Sequence, residues 1–332
     1  MSCEVFGIRR PLIGVVHLLP LPGSPGYRGR MRDVVDHALT DAGAYLRAGF
    51  DGLIVENYGD TPFWRGSVPP ETVAALTRVA TDVRGLGAFA LGINVLRSDG
   101  ASAMAIAAAT DAEFIRVNVL SGTMVTDQGL IEGCAAEVMR LRAQLGAGPG
   151  ADASTEASTD ASADASTEAS TDASTEASTD ASAGAAKTAV WADLLVKHAA
   201  PLVETDPADA ASDLIERAHA DALILTGAQT GRPAQTAQLE TVRAALQRMS
   251  GSDSSGPGRR TAAPDRPEGG TPRRATPILI GSGITADTLA EYWTGADGFI
   301  IGTAAKKGGR TRNPVDPARA EALVRRAREL RG

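Results

Sequence analysis

The sequence predicts an α/β protein built as a closed (β/α)8 barrel, the TIM-barrel architecture. Short apolar runs alternate with longer amphipathic stretches along the chain, as they do in successive strand–helix units of a parallel sheet. The composition, 43% hydrophobic and 22% charged residues, is that of a globular protein rather than a fibrous or membrane one. Eight strand–helix pairs favour a closed barrel over an open doubly wound sheet.

The predicted elements follow one another in the order strand, helix, strand. The strands are predicted at residues 12–17, 52–57, 89–96, 114–119, 189–198, 222–226, 277–281 and 298–302. The helices are predicted at residues 31–48, 70–85, 98–109, 130–145, 207–219, 236–249, 285–294 and 316–330. Pro69-Pro70, Asp206-Pro207 and Asp316-Pro317 indicate helix starts, because proline fits the first helical turn and aspartate caps it.

Two segments interrupt this pattern. Residues 148–186 are mostly an acidic repeat of Ala, Ser, Thr, Asp and Glu, and residues 251–275 are rich in Gly, Pro, Ser and Arg. Neither has an apolar face that could dock on a core, so we predict two disordered insertions at the N-terminal face of one barrel domain spanning residues 1–332. The whole chain has a net charge of −7, and the repeat alone contains eight acidic residues. The rest of the chain is therefore nearly neutral. We therefore expect no nucleic-acid partner.

The chain carries no pattern typical of secretion or membrane insertion. Cys3 and Cys134 form neither a disulfide framework nor a metal pattern. Arg9-Arg10 before an apolar run superficially resembles a twin-arginine signal, but His17 and two prolines interrupt the run, and a first buried strand fits better. No apolar run reaches the roughly 20 residues of a membrane span. We expect a cytoplasmic protein and leave its oligomeric state open, a homo-oligomer included.

Alternation along the strands predicts which side chains enter the barrel. In the fourth strand Ile115, Val117 and Val119 form the outer side, which leaves Phe114, Arg116 and Asn118 inside. In the third strand Asn94 points inward by the same rule. In the fifth strand Asp193 and Lys197 point to the same side, because they are four residues apart. An extended chain would place them about 13 Å apart at roughly 3.3 Å per residue.

Polar residues converge on the C-terminal strand ends, where barrel enzymes keep their active sites. His17, Glu56 with Asn57, and His198 end the first, second and fifth strands. We predict that the catalytic residues are Glu56, Asp193, Lys197 and Arg116, with Asp193 or Glu56 as the base and Lys197 as the acid or electrophile. The alternative is a satisfied polar network that only stabilises the barrel.

Glycines after the last two strands indicate an anion site. Gly281-Ser282-Gly283 follows the seventh strand and Gly302-Thr303 the eighth, the usual phosphate site of such barrels, and Lys306 or Lys307 would add charge. The alternative is an ordinary tight turn. The remaining predicted substrate- or phosphate-binding residues are His17, Asn57, Asn94, Asn118, Asp127, His198 and Thr226. Thr123, Asp127 and Gln128 would form a lid or a plain turn.

We expect no metal and no cofactor. His17 and His198 with Glu56 or Asp193 form the one weak alternative, a divalent-cation site. No nucleotide-binding glycine motif, Walker loop or nucleophile elbow is present in the sequence. The usual motifs for nicotinamide binding, ATP binding and serine-hydrolase activity are therefore missing.

Several stretches are specific as a set, among them PLIGVVHLLPLPGSPGY, DGLIVENYGDTPF, AEFIRVNVLSGTMVTDQGLIEG, ILIGSGIT and GFIIGTAAKKGGRTRNPVDPAR. Together they resemble the BtpA/SgcQ family, named for a photosystem I biogenesis protein and a gene of a sugar-transport operon. The resemblance implies a barrel of the ribulose-phosphate-binding type. It also implies importance for His17, Glu56, Asn57, Asp60, Asn94, Arg116, Asn118, Asp127, Asp193, Lys197, His198, Thr226, Gly281, Ser282, Gly283 and Gly302.

Three functions are compatible with these observations. The first is an enzyme that binds a small phosphorylated metabolite and performs isomerase, lyase or aldolase-like chemistry. The second is a non-enzymatic biogenesis or stability factor for a membrane complex of the photosystem I type. The third is a regulatory protein that binds a metabolite without turnover.

Overall fold

The computed structural model describes residues 3–146, 188–227, 236–251 and 275–332. The acidic repeat at 148–186, and the loop predicted at 251–275 apart from its two end residues, lie outside the described residues. Their predicted disorder stays a prediction. Among the described helices, none combines the length and apolar character needed to cross a membrane.

Eight parallel strands close into a barrel in the order β1-β11-β10-β9-β7-β4-β3-β2. The described strands are β1 (Leu12–His17), β2 (Gly52–Glu56), β3 (Ala90–Asn94), β4 (Phe114–Val117), β5 (Thr123–Thr126), β6 (Gly129–Glu132), β7 (Ala189–Leu194), β8 (Ala199–Pro201), β9 (Ala222–Leu225), β10 (Ile278–Ile280) and β11 (Gly298–Ile301). Helices follow the barrel strands in alternation. The predicted (β/α)8 fold is confirmed.

The helices are α1 (Met31–Ala48), α2 (Pro70–Arg84), α3 (Gly100–Ala109), α4 (Ala135–Gln144), α5 (Pro207–Ser212), α6 (Thr236–Gly251), α7 (Leu289–Tyr292) and α8 (Pro317–Arg331). Three of the helices, α2, α5 and α8, begin where proline and aspartate predicted them. Asp206 and Asp316 cap α5 and α8 by accepting hydrogen bonds from backbone N–H groups. Residues 285–294 keep only the short α7, and residues 207–219 pass from α5 into a π-helical turn at Asp213–Arg217.

Aromatic side chains pack together in the N-terminal half of the barrel interior, among aliphatic ones. The rings of Phe114 on β4 and Trp191 on β7 stack with their centroids 3.7 Å apart, and Phe6 packs against both. A Cβ atom on Gly92 would lie 2.2 Å from the Phe114 ring, so only glycine fits beside it. This packing closes the lower barrel and leaves the polar inward residues at the opposite end.

The fifth barrel strand is shorter than predicted. β7 ends at Leu194, and both Leu195 and His198 adopt positive φ angles, 55° and 54°, that end the extended conformation of the strand. Lys197 therefore lies in a loop rather than on the strand. The prediction that Asp193 and Lys197 lie 13 Å apart on one strand was wrong, because the chain between them is not extended.

A small antiparallel sheet lies over the fourth and fifth strand ends. β5 pairs with β6 across Asp127-Gln128 and with β8 on its other side. The predicted helix at 130–145 consequently begins only at Ala135, because residues 129–132 form the return strand of this hairpin. Gly129, with φ 98°, provides the reversal.

Candidate functional site

A cavity of about 310 Å³ opens among the C-terminal ends of the barrel strands. Most of the predicted site residues line it: His17, Glu56, Arg116, Asn118, Asp193, Lys197, His198, Gly281, Ser282, Gly283, Gly302 and Thr303. The predicted residues Asn57, Asn94, Asp127 and Thr226 lie outside the lining. Alternate residues of β4 and β7 point into the barrel and therefore bring their charged side chains into one cavity.

The centre of the cavity floor is an ion pair between Arg116 and Asp193. The Arg116 Nε and one terminal nitrogen each donate to a different Asp193 oxygen at 2.9 Å. Asn118 Nδ2 donates to the same carboxylate at 2.8 Å. Burial alone would lower the pKa of Arg116, but the charge and hydrogen bonds of Asp193 outweigh burial and raise it. The pair thus stays charged in the barrel interior.

Glu56 lies beside this pair with its two oxygens in different surroundings. Asn94 Nδ2 donates to Oε2 at 2.6 Å, and Arg116 approaches the same oxygen at 4.0 Å. Oε1 lies 3.7 Å from Nε2 of His17. Asn94 therefore holds Glu56 in place from behind the cavity, which explains why an inward asparagine does not itself line it.

His17 is a neutral imidazole at the end of β1. Burial, followed by the nearby cations Lys306, Lys197 and Arg116, lowers its pKa well below the usual value. Its ring contacts Tyr58 edge-on at 4.8 Å between centroids. Among the described residues Nδ1 has no hydrogen-bond partner. A neutral ring with one nitrogen near a carboxylate and the other without a partner can relay a proton.

Lys197 extends its amine into the cavity from the loop after β7. Nζ donates to the carbonyl oxygen of Gly281 at 3.3 Å. Burial, followed by repulsion from Arg116, lowers the pKa of the amine to about 8, even though Asp193 and Glu56 oppose that change. Arg97 donates a hydrogen bond to the Lys197 carbonyl and so fixes the loop. A fraction of this amine is neutral near physiological pH.

The two glycine segments lie at one side of the cavity, as predicted. Gly283 has φ 73°, a conformation that favours glycine, and a Cβ on Gly302 would lie 2.8 Å from the His17 ring, so glycine fits best at both positions. Among the described residues, the backbone N–H groups of Gly283 and Thr303 donate no hydrogen bond. Backbone N–H groups of glycine-rich turns that have no protein acceptor can bind an anion.

Neither Lys306 nor Lys307 extends its amine into the cavity beside the glycine segments. Lys306 is fully buried and pairs with Asp41 of α1, and Lys307 is exposed outside the cavity lining. The prediction was wrong because the chain after Gly302 turns through a short helical segment, Thr303–Ala305, which sends Lys306 back toward α1. Arg319 of α8 lines the glycine side of the cavity instead.

Sequence reasoning missed Arg97 and Arg319. Arg97 is buried, lines the cavity, and pairs with Asp127 at 3.2 Å. Its place directly after the third predicted strand is a signal that could have identified it. Arg319 lies in the first turn of α8, and the sequence alone does not show that this turn reaches the cavity.

The predicted residues outside the lining have supporting positions. Asn57 accepts a hydrogen bond from the Leu96 N–H at 2.7 Å and donates to Asp60 at 3.1 Å, so it joins two loops. Asp127 is exposed at the hairpin tip. The Thr226 hydroxyl is buried and, within the described part of the chain, has no hydrogen-bond partner. Likewise, no described group of three or more His, Cys, Asp and Glu is placed to hold a metal ion.

The sequence is similar over nearly its whole length to proteins of one family. The sequence profile of the BtpA family matches residues 8–257 and 269–329. An uncharacterized protein of Pyrococcus horikoshii is 38% identical over 322 residues, 97% of this chain and 97% of that protein. The photosystem I biogenesis protein BtpA of Synechocystis sp. is 35% identical over 321 residues, 97% of this chain and 89% of its own. A solved structure described as native KDPGal structure covers 99% of this chain and 98% of its own, at TM-score 0.48 and 15% identity.

Proposed function

The chain belongs to the BtpA family. From this we propose that it is an enzyme that binds a small phosphorylated metabolite in the barrel cavity. The reaction class is isomerase, lyase or aldolase-like chemistry, in which protons move to and from carbon and oxygen. No cofactor takes part in this proposal.

The observation that carries the proposal is the gathering of ionisable side chains around one cavity, five of which belong to the predicted site. His17, Glu56, Arg116, Asp193 and Lys197 all line it. A barrel that needed only stability would be filled more cheaply by aliphatic side chains, because buried charges carry a desolvation cost. Lowered pKa values on a histidine and a lysine in one cavity are typical of acid–base sites.

The contacts favour Glu56 over Asp193 as the base. Both Asp193 oxygens already accept hydrogen bonds from Arg116 or Asn118. Glu56 keeps Oε1 with no closer ion-pair partner than His17 at 3.7 Å. We assign Glu56 as base, Lys197 as acid or electrophile, and Asp193 as the residue that positions Arg116.

The phosphate would bind at the two glycine segments. Gly281-Ser282-Gly283 and Gly302-Thr303 line the same side of the cavity, and their glycine backbones permit close approach of an anion. Arg319 adds a positive charge on that side. The volume of about 310 Å³ is at the lower end of the range for small-molecule sites, which favours a short phosphorylated compound.

A thermal-shift panel tests this function. Each phosphorylated sugar or sugar acid is paired with its unphosphorylated counterpart at millimolar concentration. Binding predicts that a phosphorylated compound stabilises the protein by about 2.7 kcal/mol at a hundredfold excess over its dissociation constant, while its counterpart does not. If no phosphorylated compound in a broad panel raises the melting temperature, the proposal fails.

A second candidate function is a biogenesis or stability factor for a membrane complex. The observation in its favour is the 35% identity to a protein named for photosystem I biogenesis. A cavity variant that abolishes metabolite binding distinguishes the two functions. If Lys197→Met complements the loss of a BtpA relative in its own organism, the role in biogenesis does not depend on cavity chemistry.

A further inference from the structure

Lysine is rare in this chain. Of 33 basic residues that are Lys or Arg, four are lysines, at positions 187, 197, 306 and 307. Arginine therefore provides almost all of the fixed positive charge. The two side chains differ in one respect that matters for catalysis: the guanidinium stays protonated in proteins, whereas a primary amine can lose its proton and act as a nucleophile. A lysine at the cavity of such an arginine-rich chain therefore needs an explanation.

Two of these lysines lie in the barrel, and their surroundings differ. The Lys306 amine is sealed in the protein and pairs with the Asp41 carboxylate, so it serves as a fixed cation. The Lys197 amine lines the cavity, and among the described residues no carboxylate oxygen lies within 4.0 Å of it. Its hydrogen-bond acceptor is the carbonyl of Gly281, which is neutral. Of these two lysines, Lys197 is thus the one whose amine faces the cavity without an ion-pair partner among the described residues.

The position of Lys197 relative to the glycine segment restricts what it can meet. Gly281 is the first residue of Gly281-Ser282-Gly283, and the Lys197 amine is 3.3 Å from its carbonyl oxygen. A ligand whose phosphate occupied the glycine segments would present its nearest carbons to this amine. Glu56 lines the same cavity and interacts electrostatically with Lys197. Its carboxyl group can therefore donate and accept protons near the amine.

We propose that Lys197 is a covalent catalytic residue that forms an imine with a short phosphorylated aldehyde or ketone. This inference rests on the proposed function and specifies its substrate class. The neutral Nζ attacks the carbonyl carbon, and the carbonyl oxygen takes a proton from the nitrogen to give a carbinolamine. A second proton, delivered from solvent through Glu56, leaves with the hydroxyl group as water. The product is a protonated imine, which draws electrons from the adjacent carbon.

Borohydride trapping tests this step. The full-length protein is incubated separately with dihydroxyacetone phosphate, glyceraldehyde 3-phosphate and ribose 5-phosphate, each with cyanoborohydride. Reduction converts an imine to a stable secondary amine whose mass is that of the protein plus the carbonyl compound less one oxygen atom. Trypsin no longer cleaves after a modified lysine, so an adduct at Lys197 appears in a peptide spanning residues 188–217.

The expected result is an adduct at Lys197 that exceeds the adduct at the exposed Lys307 at least tenfold with one or more of the probes. Excess glycerol 3-phosphate, which has no carbonyl group, should suppress it. Lys197→Arg should abolish the adduct and Lys307→Arg should leave it intact. Should Lys197→Arg fail to fold, the wild-type peptide map and the competition with glycerol 3-phosphate decide the question by themselves.

Three other outcomes would overturn the inference, and the first two separate it from the function on which it rests. Stabilisation of the protein by glycerol 3-phosphate, with no preferred adduct at Lys197 from any probe, would refute the imine and leave phosphate binding in place. Absence of both the adduct and any stabilisation by phosphorylated compounds would refute the imine and the proposed function together. Equal adducts at Lys197 and Lys307 would show only non-specific reaction and would also refute it.

Discussion

Arg116 and Asp193 face each other across two neighbouring barrel strands and share two hydrogen bonds of 2.9 Å. β4 provides the arginine and β7 the aspartate. The two residues are only 5% and 4% exposed. Each charge therefore depends on the other, because a buried charge without a partner is strongly unfavourable.

Asp193→Asn should destabilise the protein by on the order of 3 to 5 kcal/mol, because the substitution leaves the Arg116 cation buried and uncompensated. Urea unfolding measures this change. Asp82→Asn is the matched control, since Asp82 pairs with Arg78 at 2.9 Å on the protein surface. An exposed pair is worth at most about 1 kcal/mol. Equal stability changes in the two variants would contradict the buried ion pair.

Lys197→Met should abolish ligand binding without destabilising the protein. The folded-state pKa of about 8 lies below the ordinary value of 10.5, so holding the cation in the cavity opposes folding at neutral pH. Removing the amine should leave the free energy of unfolding at pH 7 unchanged or raise it by up to about 3 kcal/mol, at about 1.4 kcal/mol per pKa unit. Urea unfolding and calorimetric titration with glycerol 3-phosphate measure the two effects. Full ligand affinity in this variant would exclude Lys197 from the site.

Gly283→Asp should abolish phosphate binding, whereas Gly283→Asn should retain part of it. Gly283 has φ 73°, a conformation that costs both replacements similar strain, and Asp and Asn tolerate it best among non-glycine residues. The two side chains have nearly the same size and differ in charge. Calorimetric titration with inorganic phosphate measures the difference. If both variants bind as tightly as the wild type, the glycine segment is an ordinary turn.

His17 should make the protein less stable as the pH falls. The folded-state pKa of His17 lies well below the unfolded value of about 6.5, so this contribution to stability is complete above pH 6.5 and is lost as the pH falls below it. The loss has a limiting slope of about 1.4 kcal/mol per pH unit. Between pH 7.5 and 5.5, His17→Gln should lose less stability than the wild type. The exposed His219→Gln serves as control and should follow the wild type. Parallel profiles for all three proteins would refute a neutral, buried His17.

Strand alternation predicted the barrel and the inward side chains of β4 correctly. That success has a physical reason: period-two burial is encoded locally, and Phe114, Arg116 and Asn118 follow it without interruption. Asp193 was placed correctly for the same reason, since β7 extends to Leu194. The number of strand–helix pairs favoured a closed barrel, and the strand order confirms it.

Loop geometry was not accessible in the same way. The positive φ angles at Leu195 and His198 are unfavourable for these residue types, so no local propensity predicts the turn that carries Lys197 to Gly281. The pairing of Lys306 with Asp41 joins positions 265 residues apart in the sequence. Contacts of this kind depend on the assembled fold. They explain why the expected lysine charge at the glycine segments was misplaced and why Arg319 was missed.

The most direct test of the proposed site is a crystal structure of the protein at saturating glycerol 3-phosphate. The account predicts that the phosphate lies within hydrogen-bond distance of the Gly283 and Thr303 N–H groups, with the carbon chain directed toward Lys197 and Glu56. A ligand bound elsewhere on the protein, or a cavity that stays free of ligand under conditions where binding is measured in solution, would contradict it.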